Sequence, residues 1–197
     1  MRIVSLTTCL VMFTTIAQAS GYYAGIVRGQ SEIETGVSAG KGSTIDNKSS
    51  AGYVFLGREF DNNAAVEGFY ANLGKAKLSF KNGSTARYNG KDYEFTADGT
   101  ATASVESFGI AGKYHFDIHD GVRLSAKLGL HSWKSKLDIG STAGGEKLDN
   151  DGVDAMAGLG VEYKATDKIA IMAGLDNFAV DDEDATITYV GVKFSFN

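Results

Sequence analysis

The stretch TYVGVKFSFN runs from Thr188 to Asn197, with Val190, Val192, Phe194 and Phe196 alternating with Tyr189, Gly191, Lys193 and Ser195. A period of two is that of a β-strand, so the large apolar groups share one face and Lys193 and Ser195 share the other. The chain ends inside this pattern. An unpaired strand edge invites aggregation, and pairing the last strand with the first in a closed sheet abolishes the edge. The reading that follows is a barrel sealed by its terminal strands.

The same alternation marks further segments at about 21–30, 50–60, 64–79, 103–118, 122–138, 155–165 and 169–179, with the last at 186–197. Several reach the roughly 9–11 residues that a tilted strand needs to cross a bilayer. Proline is absent and Gly occurs 25 times, so the punctuation falls on Gly, Asn and Asp and no strand loses a ladder donor. Asp61-Asn62-Asn63, His119-Asp120-Gly121 and Thr166-Asp167-Lys168 read as tight turns. Between them lie long polar stretches at 31–49, 80–102 and 139–154, and the shorter VDDEDA from Val180 to Ala185. Long connections alternating with short ones are the rhythm of an outer-membrane barrel with both chain ends on the periplasmic side. The fold expected is all-β: an eight-stranded antiparallel up-and-down transmembrane β-barrel.

The chain has 197 residues, enough for one domain with a substantial interior. Its first residues carry Arg2, an apolar run from Leu6 to Ile16, and Ala17-Gln18-Ala19, the pattern of a secretory signal peptide cut after Ala19. Residues 1–19 are therefore expected to be the export signal and 20–197 the barrel. The single cysteine, Cys9, falls within the signal, which removes disulfide and thiol chemistry from the mature chain. The net charge of −5 becomes more negative when Arg2 is removed, and nucleic acid is not an expected partner. Aromatics near the turns, Phe60, Tyr114, Phe116, Tyr163, Phe194 and Phe196, sit where an interfacial girdle would lie.

With these elements in place the sequence resembles the transmembrane domain of the OmpA family. The likeness is carried by GLGVEYKATDKIAI (Gly158 to Ile171), GKYHFDIHDGVRLSAKLGLHSW (Gly112 to Trp133) and AVEGFYANLGKA (Ala65 to Ala76). The resemblance implies a lumen in which charged side chains pair and have been discussed as a gate, at positions corresponding to Glu67, Lys113 and Glu162. The family's arginine on the last strand falls on Ser195; Lys193, on the same face, is the cation available in its place. The peptidoglycan-binding domain of the larger members does not follow strand eight in this sequence. An outer-membrane location implies contact with outer-membrane lipid and lipopolysaccharide, and with the barrel assembly machinery during insertion.

An eight-stranded barrel has an interior just wide enough to be filled by side chains. Buried charges there must pair, since an unpaired ion in a low-dielectric interior costs several kcal/mol. Arg28, Glu67, Lys113, Asp117, Arg123, Lys127, Glu162, Asp176 and Lys193 are read as that lumen network. Among the histidines, His119 lies in a turn, while His115 and His131 point inward and Ser132 points away from His131, so no Ser-His-acid set emerges and no enzyme activity, metal or cofactor is expected. DNDGVD (Asp149 to Asp154) lacks the alternation and terminal Glu of a calcium loop and reads as a solvated Asp-Gly turn. Asn82-Gly83 and Asn89-Gly90 suggest a small hairpin above the membrane. The expected function is an integral envelope component with exposed loops, open to host or phage contacts, and at most weak porin activity. A small-solute channel or transporter is the alternative, with a lipid-modifying enzyme behind it.

Overall fold

The computed structural model describes residues 21–88 and 90–196, so the expected signal peptide with Cys9, together with Asn89 and Asn197, lies outside the described residues. Twelve strands are found: β1 (Tyr22–Ile33), β2 (Val37–Ala39), β3 (Thr44–Asp46), β4 (Lys48–Glu59), β5 (Ala64–Phe80), β6 (Thr85–Tyr88), β7 (Lys91–Glu94), β8 (Gly99–His119), β9 (Val122–Ser141), β10 (Gly144–Lys164), β11 (Ile169–Val180) and β12 (Glu183–Phe196). Eight of them, β1, β4, β5, β8, β9, β10, β11 and β12, pair antiparallel in a closed ring. Closure is made by β12 on β1, with Tyr22 opposite Phe196 and Ile26 opposite Val192. The final strand is thus paired along its whole length.

The two faces of the ring are inverted relative to a water-soluble barrel. Outward lie Ile26, Ile110, Leu128, Leu130, Leu159 and Val190, each at least 59% exposed. Burying such a side chain is worth about 1.5–3 kcal/mol, so a continuous band of them is stable only against lipid. Inward lie Glu67, Lys113, Lys127, Glu162, Asp176 and Lys193, all buried. Tyr114 packs edge-on against Phe116, Phe194 against Phe196, and the Arg58 guanidinium sits over the rings of Tyr22 and Phe60 at the periplasmic border. This is the place where amphipathic rings and long cations meet water and lipid together.

The short turns fall where expected, with Asn63 (φ 64°) and Gly121 (φ 77°) supplying the left-handed backbone that tight turns need. The long outer connections carry strands of their own. The stretch 139–154 is mostly a continuation of β9 and β10, turning at Thr142 and Ala143, and Asp149–Asp154 lies within β10 instead of forming a turn. Here Lys134 stands opposite Asp151, Lys136 opposite Asp149, and Asp138 opposite Lys147, with a 3.1 Å ion pair in the last case. Above the membrane both faces of the ladder are wet, so apolar alternation disappears while cross-strand charge pairs hold the register. In the second outer connection β6 and β7 form a small hairpin that pairs with β2.

Arg28 is a correction. It is exposed and shares the outer face with Ala24 and Ile26, opposite Gly52 and Val190, while Tyr23 and Val27 of the same strand point inward. The period of two overrides the expectation drawn from its charge. Gly52 is also opposite Asn72, which in turn faces Glu106, so Arg28 belongs to a polar collar at the outer edge of the apolar band.

Candidate functional site

The barrel interior is the candidate site. Inward alternation on β4, β5, β8, β9, β10 and β12 brings together residues far apart in the chain. Glu162 is the hub: one carboxylate oxygen accepts from Lys113 Nζ at 2.5 Å, and the other from Arg123 at 3.1 Å and from Lys193 Nζ. Lys113 also donates to Glu67 at 3.2 Å, and the Tyr23 hydroxyl donates to the same Glu67 oxygen at 3.0 Å. Arg123 forks onto Glu59, donating to Oε1 at 2.5 Å and to Oε2 at 3.4 Å. Glu59, Glu67 and Glu162 thus face Lys113, Arg123 and Lys193, and the signs balance. The balance is what makes the cluster tolerable in a low-dielectric interior.

A second, smaller set lies beside it. Lys127 Nζ donates to Asp176 Oδ2 at 2.7 Å and to the Tyr53 hydroxyl at 2.9 Å, and Tyr53 donates to the same Asp176 oxygen at 2.7 Å. The ammonium of Lys127 also lies 4.7 Å from the centre of the Tyr53 ring, within cation–π range. Above this set Phe69 packs between Tyr53 and Phe178, and Phe178 meets His131 edge-on. The cross-section is filled by ions first and rings after.

The interior opens at both ends. The periplasmic mouth is a polar vestibule bordered by Glu59, Asn63, Asp117, Arg123 and Lys164. Asp117 is exposed there, accepting from Asn63 at 3.3 Å, so it lines the vestibule and stands outside the buried cluster. The outer mouth is a cup of about 410 Å³ floored by Val105 and Trp133, walled by apolar side chains and edged by carboxylates. At that edge Glu183 is pushed above the usual carboxyl range by burial first and then by repulsion from Glu34, Asp182 and Asp184.

Several of these residues escape a reading of the sequence. Glu59 bonds to Arg123 across 64 positions, although its place on the inward phase with Tyr53 and Phe55 was available from alternation. The Tyr23 and Tyr53 hydroxyls read as aromatic core. Ser107 and His131 form a buried pair, Oγ to Nδ1 at 2.8 Å, which no local motif announces because they sit 24 residues apart. Among the described residues no carboxylate completes it: His131 Nε2 lacks a hydrogen-bond partner there, and Asp154 is engaged by the Trp133 indole at 2.6 Å and the Asp181 amide at 3.2 Å. A hydrolytic triad requires that third group to orient the imidazole.

The family model described as outer membrane protein beta-barrel domain matches residues 5–196. Among solved structures, Neisserial surface protein A is similar at TM-score 0.58 and 16% identity, with 89% of this chain and 97% of that chain covered. OprG from Pseudomonas aeruginosa is similar at TM-score 0.57 and 11% identity, covering 91% and 99%. Ail of Yersinia pestis, solved with the heparin analogue sucrose octasulfate, is similar at TM-score 0.55 and 16% identity, covering 89% and 99%. No curated protein matches. At such identities the likeness is one of fold.

Proposed function

Because the chain belongs to the outer membrane protein beta-barrel domain family, we propose that it serves as an integral, surface-exposed component of the outer membrane with at most weak conductance, exported by residues 1–19 and inserted by the barrel assembly machinery. The observation that carries this reading is the filled cross-section. Ions and rings from Glu59 and Arg123 up to Phe69 and Phe178 occupy the space between the vestibule and the cup. A conducting path would need Glu162 to part from Lys113, Arg123 and Lys193, leaving its own carboxylate unpaired and three cations sharing Glu59 and Glu67 in a low-dielectric interior. Lipid and lipopolysaccharide surround the outward apolar band, and Arg28 stands at its outer edge, where headgroup phosphates lie.

The role read here is non-enzymatic, as a family defined by its outer-membrane barrel suggests. Ail was solved with a polysulfated ligand; here the outer mouth carries Glu34, Asp181, Glu183 and Asp184, which repel polyanions. Host or phage contacts are therefore assigned to the extended outer strands and the β6–β7 hairpin. Planar-bilayer recording of the purified mature chain tests the reading. The expected trace shows no steady steps, only rare small openings. Steady ohmic steps in every insertion would instead assign a small-solute channel.

A further inference from the structure

The outer mouth of the barrel is a cup of largely apolar side chains. Its floor is Val105 and Trp133 and its walls include Ile33, Ala103 and Leu137, with an enclosed volume of about 410 Å³. That volume lies in the range of small-molecule pockets, about 300–1,000 Å³, and apolar walls with a few placed polar groups are their usual lining. The charged groups here are mostly acidic. Glu34, Asp181 and Glu183 edge the opening beside the Asp184 backbone, and Lys77 is the cation among the lining residues.

The rim is held in place before any ligand arrives. The Glu34 amide donates to the Asp184 carbonyl at 2.8 Å, and the Ile33 amide to the Asn47 carbonyl at 2.9 Å, which ties the wall to the β11–β12 turn and to the approach to β4. Asp181 sits at φ 59°, its amide bonded to Asp154, the carboxylate that also fixes the Trp133 indole. The Glu183 carboxylate rests over the Gly36 backbone. Preorganised walls lose little freedom on binding, which favours affinity.

We propose that the cup binds small amphipathic monocations of the quaternary-ammonium class, the apolar body seated over Trp133 and the cationic head among Glu34, Asp181 and Glu183. Charge complementarity selects the cation over a neutral or anionic compound of the same shape, since the carboxylates bring their field to a partly enclosed opening. A quaternary head suits the site because its charge is spread over apolar methyl groups that can rest against the walls while facing the carboxylates.

Trp133 is the only tryptophan of the chain, so its emission reports on the cup directly. The probe is benzyltrimethylammonium, titrated into the mature protein in lipid nanodiscs, with neopentylbenzene as the neutral compound of equal shape. The expected result is a saturable change in emission for the cation, weakened at least tenfold in the paired variant Glu34→Gln with Glu183→Gln. Ala103→Leu, which fills the cup, should remove the saturable response while the protein keeps its heat-modifiable folded band. An emission unmoved by the cation would overturn the proposal. So would equal affinity for neopentylbenzene, unchanged affinity in the carboxamide variant, or a response that survives Ala103→Leu in folded protein.

Discussion

Glu162→Ala is expected to destabilise the barrel by about 3–5 kcal/mol, the range for removing one partner of a buried ion cluster. Glu162 is 2% exposed and bridges Lys113, Lys193 and Arg123. Its loss leaves those three cations with Glu67 and Glu59 alone, in an interior with little water to screen them. Adding Lys113→Ala should cost less than the sum of the two single changes, because one of the stranded charges leaves with it. Urea titration in vesicles, followed by the folded band on gels, gives both numbers. Strict additivity, or a loss below about 1 kcal/mol, would mean that Glu162 is not the hub.

The second large effect concerns the outer face. Leu128 and Leu159 are 71% and 69% exposed, with Ala157 opposite the first and Ala126 opposite the second on the paired strands. Leu128→Arg or Leu159→Arg should each cost about 2–4 kcal/mol, the penalty for a cation on the lipid face near the bilayer midplane. The same titration reads the loss. Unchanged stability at both sites would place that face in water and invert the barrel.

How far the sequence spoke depended on depth in the membrane. Where one face meets lipid and the other a packed lumen, alternation is strong, and Glu67, Lys113, Lys127, Glu162 and Lys193 were placed inward by phase. Above the bilayer both faces meet water, so residues 139–154 looked like a loop although Lys147, Asp149 and Asp151 continue β10 opposite Asp138, Lys136 and Lys134. Arg28 shows the converse error. Its charge suggested the lumen, yet the phase set by Tyr23 and Val27 turns it outward, and at the outer edge of the band a guanidinium can reach headgroups.

The site's finer parts depend on contacts between distant strands. Glu59 meets Arg123, Tyr53 meets Asp176 across 123 positions, and Ser107 meets His131 only once the register of β8 on β9 is fixed. The cup is invisible locally because its walls come from both ends of the chain: Ile33 closes β1, Val180 ends β11, and Trp133 lies between them on β9. A strand's own sequence states which residues turn inward. It does not state which of them meet.

The central claim is a closed ring sealed by the first and last strands, and a seam disulfide tests it most directly. With Cys9 replaced by Ser, Ile26→Cys and Val192→Cys place two thiols at paired positions of β1 and β12. Paired strand positions lie within the roughly 4.4–6.8 Å Cα separation that a disulfide requires. The account predicts that mild oxidation in lipid vesicles forms this bond within single chains, while Ile26→Cys with Phe194→Cys, two residues out of register, stays reduced. Failure of the in-register pair to oxidise, or bonding only between chains, would contradict the closed barrel.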